Sequence, residues 1–315
     1  MMRGYSSLLL SVVALLPLGA CETNPTTGRN QLVGLSRAQE IQIGEEAKAQ
    51  FTAESGGEVP DKQLDGYVDE IGRKLAAKTP ADNPTLPWEF TLLNSNVINA
   101  FALPGGKVFM SKGLADKMTN EAQMAGVLGH EIGHVCARHT SERVGQQQLV
   151  GVSAALGGVA LGASGASAVV TQLGGLAINV GGTLIPLKFS RDQESEADSL
   201  GMRFMVACNY NPAAQAQVMQ ILQKAAASGG TPEFLATHPY PETRIERINK
   251  ELSTTYKYTQ NNPQFQFYEV EYRTKYLRKA AMLPAPMHGA DTRLALGDPT
   301  VWCQHCREAA AAAQR

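Results

Sequence analysis

Gly129-His130-Glu131-Ile132-Gly133-His134 is the stretch on which the reading of this 315-residue chain turns. It lies inside the run Asn120 to Arg143, which has helical periodicity and no proline. On an α-helix residues four apart share a face, so the imidazoles of His130 and His134 can reach one metal ion. Glu131 comes next along the helix, beside the ion and not bound to it, where a carboxylate can take a proton from an activated water. Taken alone, the five residues fit equally well a buried histidine pair with an incidental glutamate.

A tetrahedral catalytic zinc needs a third protein ligand and an open position. Some sixty residues on stands Ser190-Arg191-Asp192-Gln193-Glu194-Ser195-Glu196-Ala197-Asp198, leading into a second helical run. Glu194 and Asp198 are four apart and share a face. Glu194 is therefore expected on the ion and Asp198 on the far ring nitrogen of a ligand histidine. Glu196 points elsewhere and is expected on a solvated face. Two motifs of complementary chemistry in this order point to one Zn2+ per chain and to peptide hydrolysis, with Glu131 as base.

The residues around these motifs resemble the HtpX/CAAX-prenyl-protease type of zinc metallopeptidase, family forty-eight. The resemblance covers roughly residues 30 to 250. It rests on Asn99-Ala100-Phe101 to Gly105-Gly106, on His130 to His134 with His139 following, on Ser190-Arg191 through Asp198, and on His238-Pro239 with Arg244. It implies an α+β, mostly helical, gluzincin-like metallopeptidase domain with a small β-sheet beside the histidine helix. The family's ligands carry over to His130, His134 and Glu194, its base to Glu131 and its supporting aspartate to Asp198. Asn99, Ala100 and Phe101, on a sheet edge, would take substrate as an added strand. His238, on a loop stiffened by Pro239 and Pro241, would fill the fourth metal position at rest, and Arg244 would face the developing oxyanion.

The N-terminus suggests where such an enzyme works. Arg3, the apolar run Leu8 to Leu18 and Gly19-Ala20 before Cys21 read as an export signal, too short to span a bilayer. Leu18-Gly19-Ala20-Cys21 resembles a bacterial lipobox, which implies acylation of Cys21. Glu22 stands where aspartate would signal retention at the inner membrane in enterobacterial lipoproteins. The expectation is a periplasmic lipoprotein on the inner leaflet of the outer membrane, in the periplasmic outer-membrane lipoprotein branch of the family. Its substrates would be misfolded or unassembled envelope proteins, and the β-barrel assembly machinery is a candidate partner. The alternative is a periplasmic chaperone or assembly factor with a latent zinc site.

Along the chain these expectations divide residues 1–20 as lipoprotein signal peptide, 21–35 as a lipid-anchored tether, 36–252 as the peptidase domain and 253–315 as a partly disordered C-terminal extension. Ser36 with Gln39 reads as a capping box, Trp88 to Leu93 as a strand, and Val97 to Met110 as two strands about Pro104-Gly105-Gly106. No charged residue lies between Arg143 and Lys188, but repeated glycines favour a helix and flexible cover over a membrane segment. Phe265 to Tyr272 alternates like a strand or an extended packing arm. Cys136, Cys208, Cys303 and Cys306 allow three pairings that sequence does not choose between. With 28 Lys and Arg against 29 Asp and Glu, net charge is −1, which gives no footprint for nucleic acid.

Overall fold

The computed structural model describes residues 20–79, 85–160, 177–180, 183–186, 188–228, 232–239 and 241–284. The signal segment before Ala20 and the Cys303, Cys306 pair lie outside them. A hairpin of β1 (Ala20–Thr23) and β2 (Asn30–Val33) opens the described chain. Helices α1 (Arg37–Glu54) and α2 (Lys62–Ala76) follow. Next comes a mixed sheet of β3 (Glu89–Leu93), β4 (Ala100–Leu103) and β5 (Lys107–Ser111), in the order β3-β5-β4. The short α3 (Lys112–Ala115) leads into α4 (Glu121–Cys136) and α5 (His139–Ala160). A second hairpin, β6 (Ala177–Val180) and β7 (Thr183–Pro186), precedes α6 (Arg191–Ala207), α7 (Ala214–Ala227), α8 (Glu233–Thr237) and α9 (Pro241–Ser253). The domain is thus mostly helical with a small mixed sheet.

The sheet is buried on both faces, which is why its strands read as nearly continuous apolar runs. Phe90, Leu92, Ala100, Val108 and Met110 join the main core with α2 and α4. Phe101, Leu103 and Phe109 point the other way and close a second core with Ile43, Ala47 and Phe51 of α1 and Val144 of α5. Gly105 and Gly106 turn β4 into β5 with φ of 79° and 93°, values that a side chain resists. The Ser36 and Gln39 capping box starts α1 as its spacing predicts, and a second box, Ser190 with Gln193, starts α6.

Helix α4 begins where Asn120 accepts from the Gln123 amide, 2.9 Å. Its first turn is fixed by Tyr67 and Tyr210, whose hydroxyls donate to Glu121 at 2.5 and 2.7 Å. The helix stops at Cys136 and does not run on to Arg143, because Arg138 takes a left-handed conformation, φ 56°. The buried Arg138 guanidinium is tied to Glu40, to Glu22 and to the Leu35 carbonyl, contacts that offset the strain.

Two segments differ from expectation. Where a polar tether is expected, residues 20–35 form a hairpin seated on the domain. Asn24 is fully buried there, and its amide donates to the Cys136 carbonyl at 3.0 Å. Phe265 to Tyr272 does not form a strand beyond one bridge, Tyr210 to Gln266, and turns helical at Glu269. Tyr272 and Tyr276 stack and are fully buried in the main core, so the extension packs on the peptidase domain as far as residue 284. Cys208 is buried and donates its thiol to the Lys74 carbonyl. Among the described residues no helix is long and apolar enough to cross a membrane.

Candidate metal centre

The site is assembled where α6 crosses α4. Both helices carry small residues at the crossing, and the fit leaves no room for more. A methyl on Gly133 would lie 2.8 Å from the Ala197 carbonyl oxygen, and one on Gly201 would lie 2.9 Å from the His130 amide. This approach puts the Glu194 and Asp198 face of α6 against the His130 and His134 face of α4. His238 enters from the loop after α8.

Four side chains converge: His130, His134, Glu194 and His238 offer ligand atoms all within 4.8 Å of one another, every one buried. His134 Nε2 lies 3.1 Å from His130 Nε2, and the Glu194 oxygens lie 3.4 and 3.5 Å from these nitrogens. His238 Nε2 and Glu194 Oε1 have no hydrogen-bond partner, and Glu194 Oε2 meets Arg244 Nη1 at 2.7 Å. His238 donates from Nδ1 to the Phe234 carbonyl at 3.2 Å, which leaves the lone pair of Nε2 turned inward. Convergent buried donors without partners are costly unless a cation sits among them, and two to three imidazoles with one carboxylate are zinc-type ligands. The residues present therefore fit the metal.

Electrostatics agree with that fit. Burial holds His130 down at about 4 and keeps His134 and His238 well below their usual range, so all three are neutral, the form that ligates. Burial raises Glu194 well above the carboxylate range, against the pull of Arg244. Glu131 is pushed up to about 8 by burial, against the pull of Arg244 and of the Ala102 amide. Its carboxylate faces the cluster, 3.5 Å from His238 Nε2.

Asp198 lies where the spacing places it, 2.9 Å from His130 Nδ1, so His130 keeps its proton there and turns Nε2 inward. Burial works against its charge, but Arg244 and His130 hold Asp198 well below the usual range. Arg244 departs from expectation. Its Nε and Nη2 donate to Asp198 at 2.7 Å each, Nη1 lies 2.7 Å from Glu194, and the residue is buried. The guanidinium is thus turned to two carboxylates of α6, not outward as the oxyanion reading expects.

Glu196 is a second correction. It is not merely solvated, because it accepts from His139 Nε2 at 2.9 Å and from Arg29 at 3.1 and 3.2 Å. His139 in turn lies 2.8 Å from His134 Nδ1. A residue five positions after His134 would face away on an unbroken helix, so nothing in the spacing announces this contact. The break at Arg138 turns His139 back. Phe189, stacked on His134 at 3.9 Å, and Phe234, stacked on His238 at 4.3 Å, complete the apolar wall.

Of the three edge residues expected to meet substrate, β4 uses two for packing. β4 is an edge of its sheet, but Asn99 spends its main chain on Ser111, and the Phe101 ring lies in the second core against Phe51 and Phe109. Alternation along an antiparallel pair turns the main-chain groups of Ala100 and Ala102 away from β5, with the Ala102 amide acting on Glu131. Cys21, the expected lipidation site, is exposed in β1.

Comparison with known proteins agrees with this geometry. The β-barrel assembly-enhancing protease of Escherichia coli (strain K12) is 31% identical over 252 residues, covering 76% of this chain and 50% of that protein. That of Yersinia pestis is 32% identical over 235 residues, covering 72% of this chain and 47% of that protein. The mitochondrial metalloendopeptidase OMA1 of Saccharomyces cerevisiae is 31% identical over 266 residues, covering 79% of this chain and 74% of that protein. The chain spans about half the length of the assembly-enhancing proteases it matches. The family profile of peptidase family M48 matches residues 62–252, the span that holds every donor of the cluster, and the chain belongs to this family of zinc metallopeptidases.

Proposed function

We propose that the chain is a zinc-dependent endopeptidase of the bacterial cell envelope that degrades misfolded or unassembled proteins, held by a lipid on Cys21 at the periplasmic face of the outer membrane. The observation that carries the peptidase reading is Glu131, buried beside a four-donor cluster and the edge strand β4. A structural zinc site has no use for a base there, which counts against a latent site in a chaperone. The similarity to proteases named for assembling β-barrels supports the envelope assignment and the assembly machinery as partner.

His130, His134 and Glu194 would hold the zinc, which when bound polarises the scissile carbonyl and acidifies an attacking water. Glu131 takes the proton and passes it to the leaving amine. Asp198 fixes the His130 tautomer. Ala100 and Ala102 offer outward main-chain groups to an extended polypeptide, a mode indifferent to side chains and hence suited to unfolded substrates. His238, whose Nε2 converges with the other donors, would add a further ligand at rest and give way to substrate.

The test uses the form that starts after Cys21. Glu131→Gln should keep its zinc and lose roughly 10²–10⁴ in casein cleavage. Cleavage at the wild-type rate would refute the mechanism, and muropeptide release without casein cleavage would move the substrate class to peptidoglycan. His238→Ala should raise basal or self-cleavage; an inactive His238→Ala protein would refute the latch.

A further inference from the structure

The N-terminal hairpin reaches the metal centre through a chain of contacts that the peptidase reading does not require. Arg29, in β1 to β2, sends Nη1 and Nη2 to the two oxygens of Glu142 on α5, at 2.7 and 3.0 Å. The same guanidinium sends Nε and Nη2 to the two oxygens of Glu196 on α6, at 3.2 and 3.1 Å. Gln193 adds a bond from α6 to Glu142 at 3.0 Å. Two carboxylates that would repel each other are thus clasped by one fork, across three elements distant in sequence.

What the clasp orders is a proton. Glu196 is an acceptor only, so His139 donates to it from Nε2. Only one proton can lie between His139 Nδ1 and His134 Nδ1, and since His134 turns Nε2 toward the other donors, His139 Nδ1 is the acceptor. That acceptor lies 2.8 Å from His134 Nδ1, which must therefore carry the proton of that ring. His134 then has only Nε2 to offer, and Nε2 faces the other donors at 3.1 Å from His130. The two histidines of α4 are set by different means: His130 by Asp198 directly, His134 through a second histidine and a carboxylate on the far side.

We propose that Arg29, Glu196 and His139 form a positioning relay that fixes the ring tautomer of His134, and that the N-terminal hairpin is in this way part of the metal centre. The proposal rests on the assignment of His134 as a zinc ligand, and the experiment separates the two. Zinc dissociation constants are measured by chelator competition for the wild type and for His134→Ala, Glu196→Ala, Arg29→Ala and Arg29→Lys. Thermal melts of each protein confirm that it folds. Histidine ring nitrogens are assigned by ¹⁵N NMR in the wild type. Loss of the relay should weaken zinc about 10–100-fold in Glu196→Ala, the range seen when partners of metal-ligating histidines are removed, and by less in Arg29→Ala. Arg29→Lys, which keeps the charge but not the fork, should fall between Arg29→Ala and the wild type. His139 should be protonated on Nε2. If His134→Ala binds zinc like the wild type, the ligand assignment itself fails. If His134→Ala loses zinc while Glu196→Ala and Arg29→Ala keep full affinity, or if His139 carries its proton on Nδ1, the relay is wrong and the ligand assignment stands.

Discussion

A side chain's chemistry is fixed by its type, but its task is fixed by what surrounds it, and Arg244, Glu196 and Glu233 illustrate the point. Arg244 and Glu196 are charged residues for which the family resemblance suggested an oxyanion contact and helical spacing a solvated face. Burial beside two carboxylates commits the first, and a histidine brought back by a helix break engages the second. Glu233 has no motif at all, yet burial pushes it up to about 7, from an ordinary 4.5, with the Asn99 amide donating to it at 3.1 Å. Between those two values the folded protein holds a proton that the unfolded chain has released. Stability from this group is therefore present below about pH 4.5 and is lost as pH rises through about 7, by at most about 3 kcal/mol at 1.36 per unit. Glu233→Gln should match the wild type in urea unfolding near pH 4.5 and exceed it near pH 8. Parallel stability curves for the two proteins would show that Glu233 does not titrate as its burial implies.

At the scale of elements, the crossing of α4 and α6 sets the reach between the histidines and the carboxylates. The crossing is close because Gly129, Gly133, Ala197 and Gly201 line it, and the methyl positions tested against it meet backbone that cannot yield. Gly201→Val should push α6 off α4, costing about 1–3 kcal/mol by overpacking. It should weaken zinc more than it lowers the melting temperature of the metal-free protein, since Glu194 and Asp198 ride on the displaced helix. Equal zinc affinity in wild type and variant would mean that the ligand distance is set elsewhere.

At the scale of the whole molecule, the stretch after Cys21 is a structural member. Val33 and Leu35 are buried, Asn24 bonds the end of α4, and Glu22 and Arg29 each engage a charge on the catalytic half. Removing residues 22–34 should lower stability by about 3 kcal/mol or more, since burial of one such apolar side chain already contributes about 1.5–3. An unchanged melting temperature would restore the picture of a free tether.

The sequence by itself determined what is local and periodic. The four-residue spacing in His130 to His134 and in Glu194 to Asp198 names one face of each helix, because an α-helix repeats every 3.6 residues whatever surrounds it. The Ser36 cap and the Pro104-Gly105-Gly106 turn follow from similarly short-range rules. Family resemblance added His238, and the structure brings its free nitrogen to the other donors. Only the tertiary structure decided where Arg244, Glu196, His139 and Arg29 point. Their partners lie five to 167 positions away, across a helix break, a helix crossing and a hairpin. No spacing rule reaches that far, because which charges meet in the interior depends on how whole elements pack.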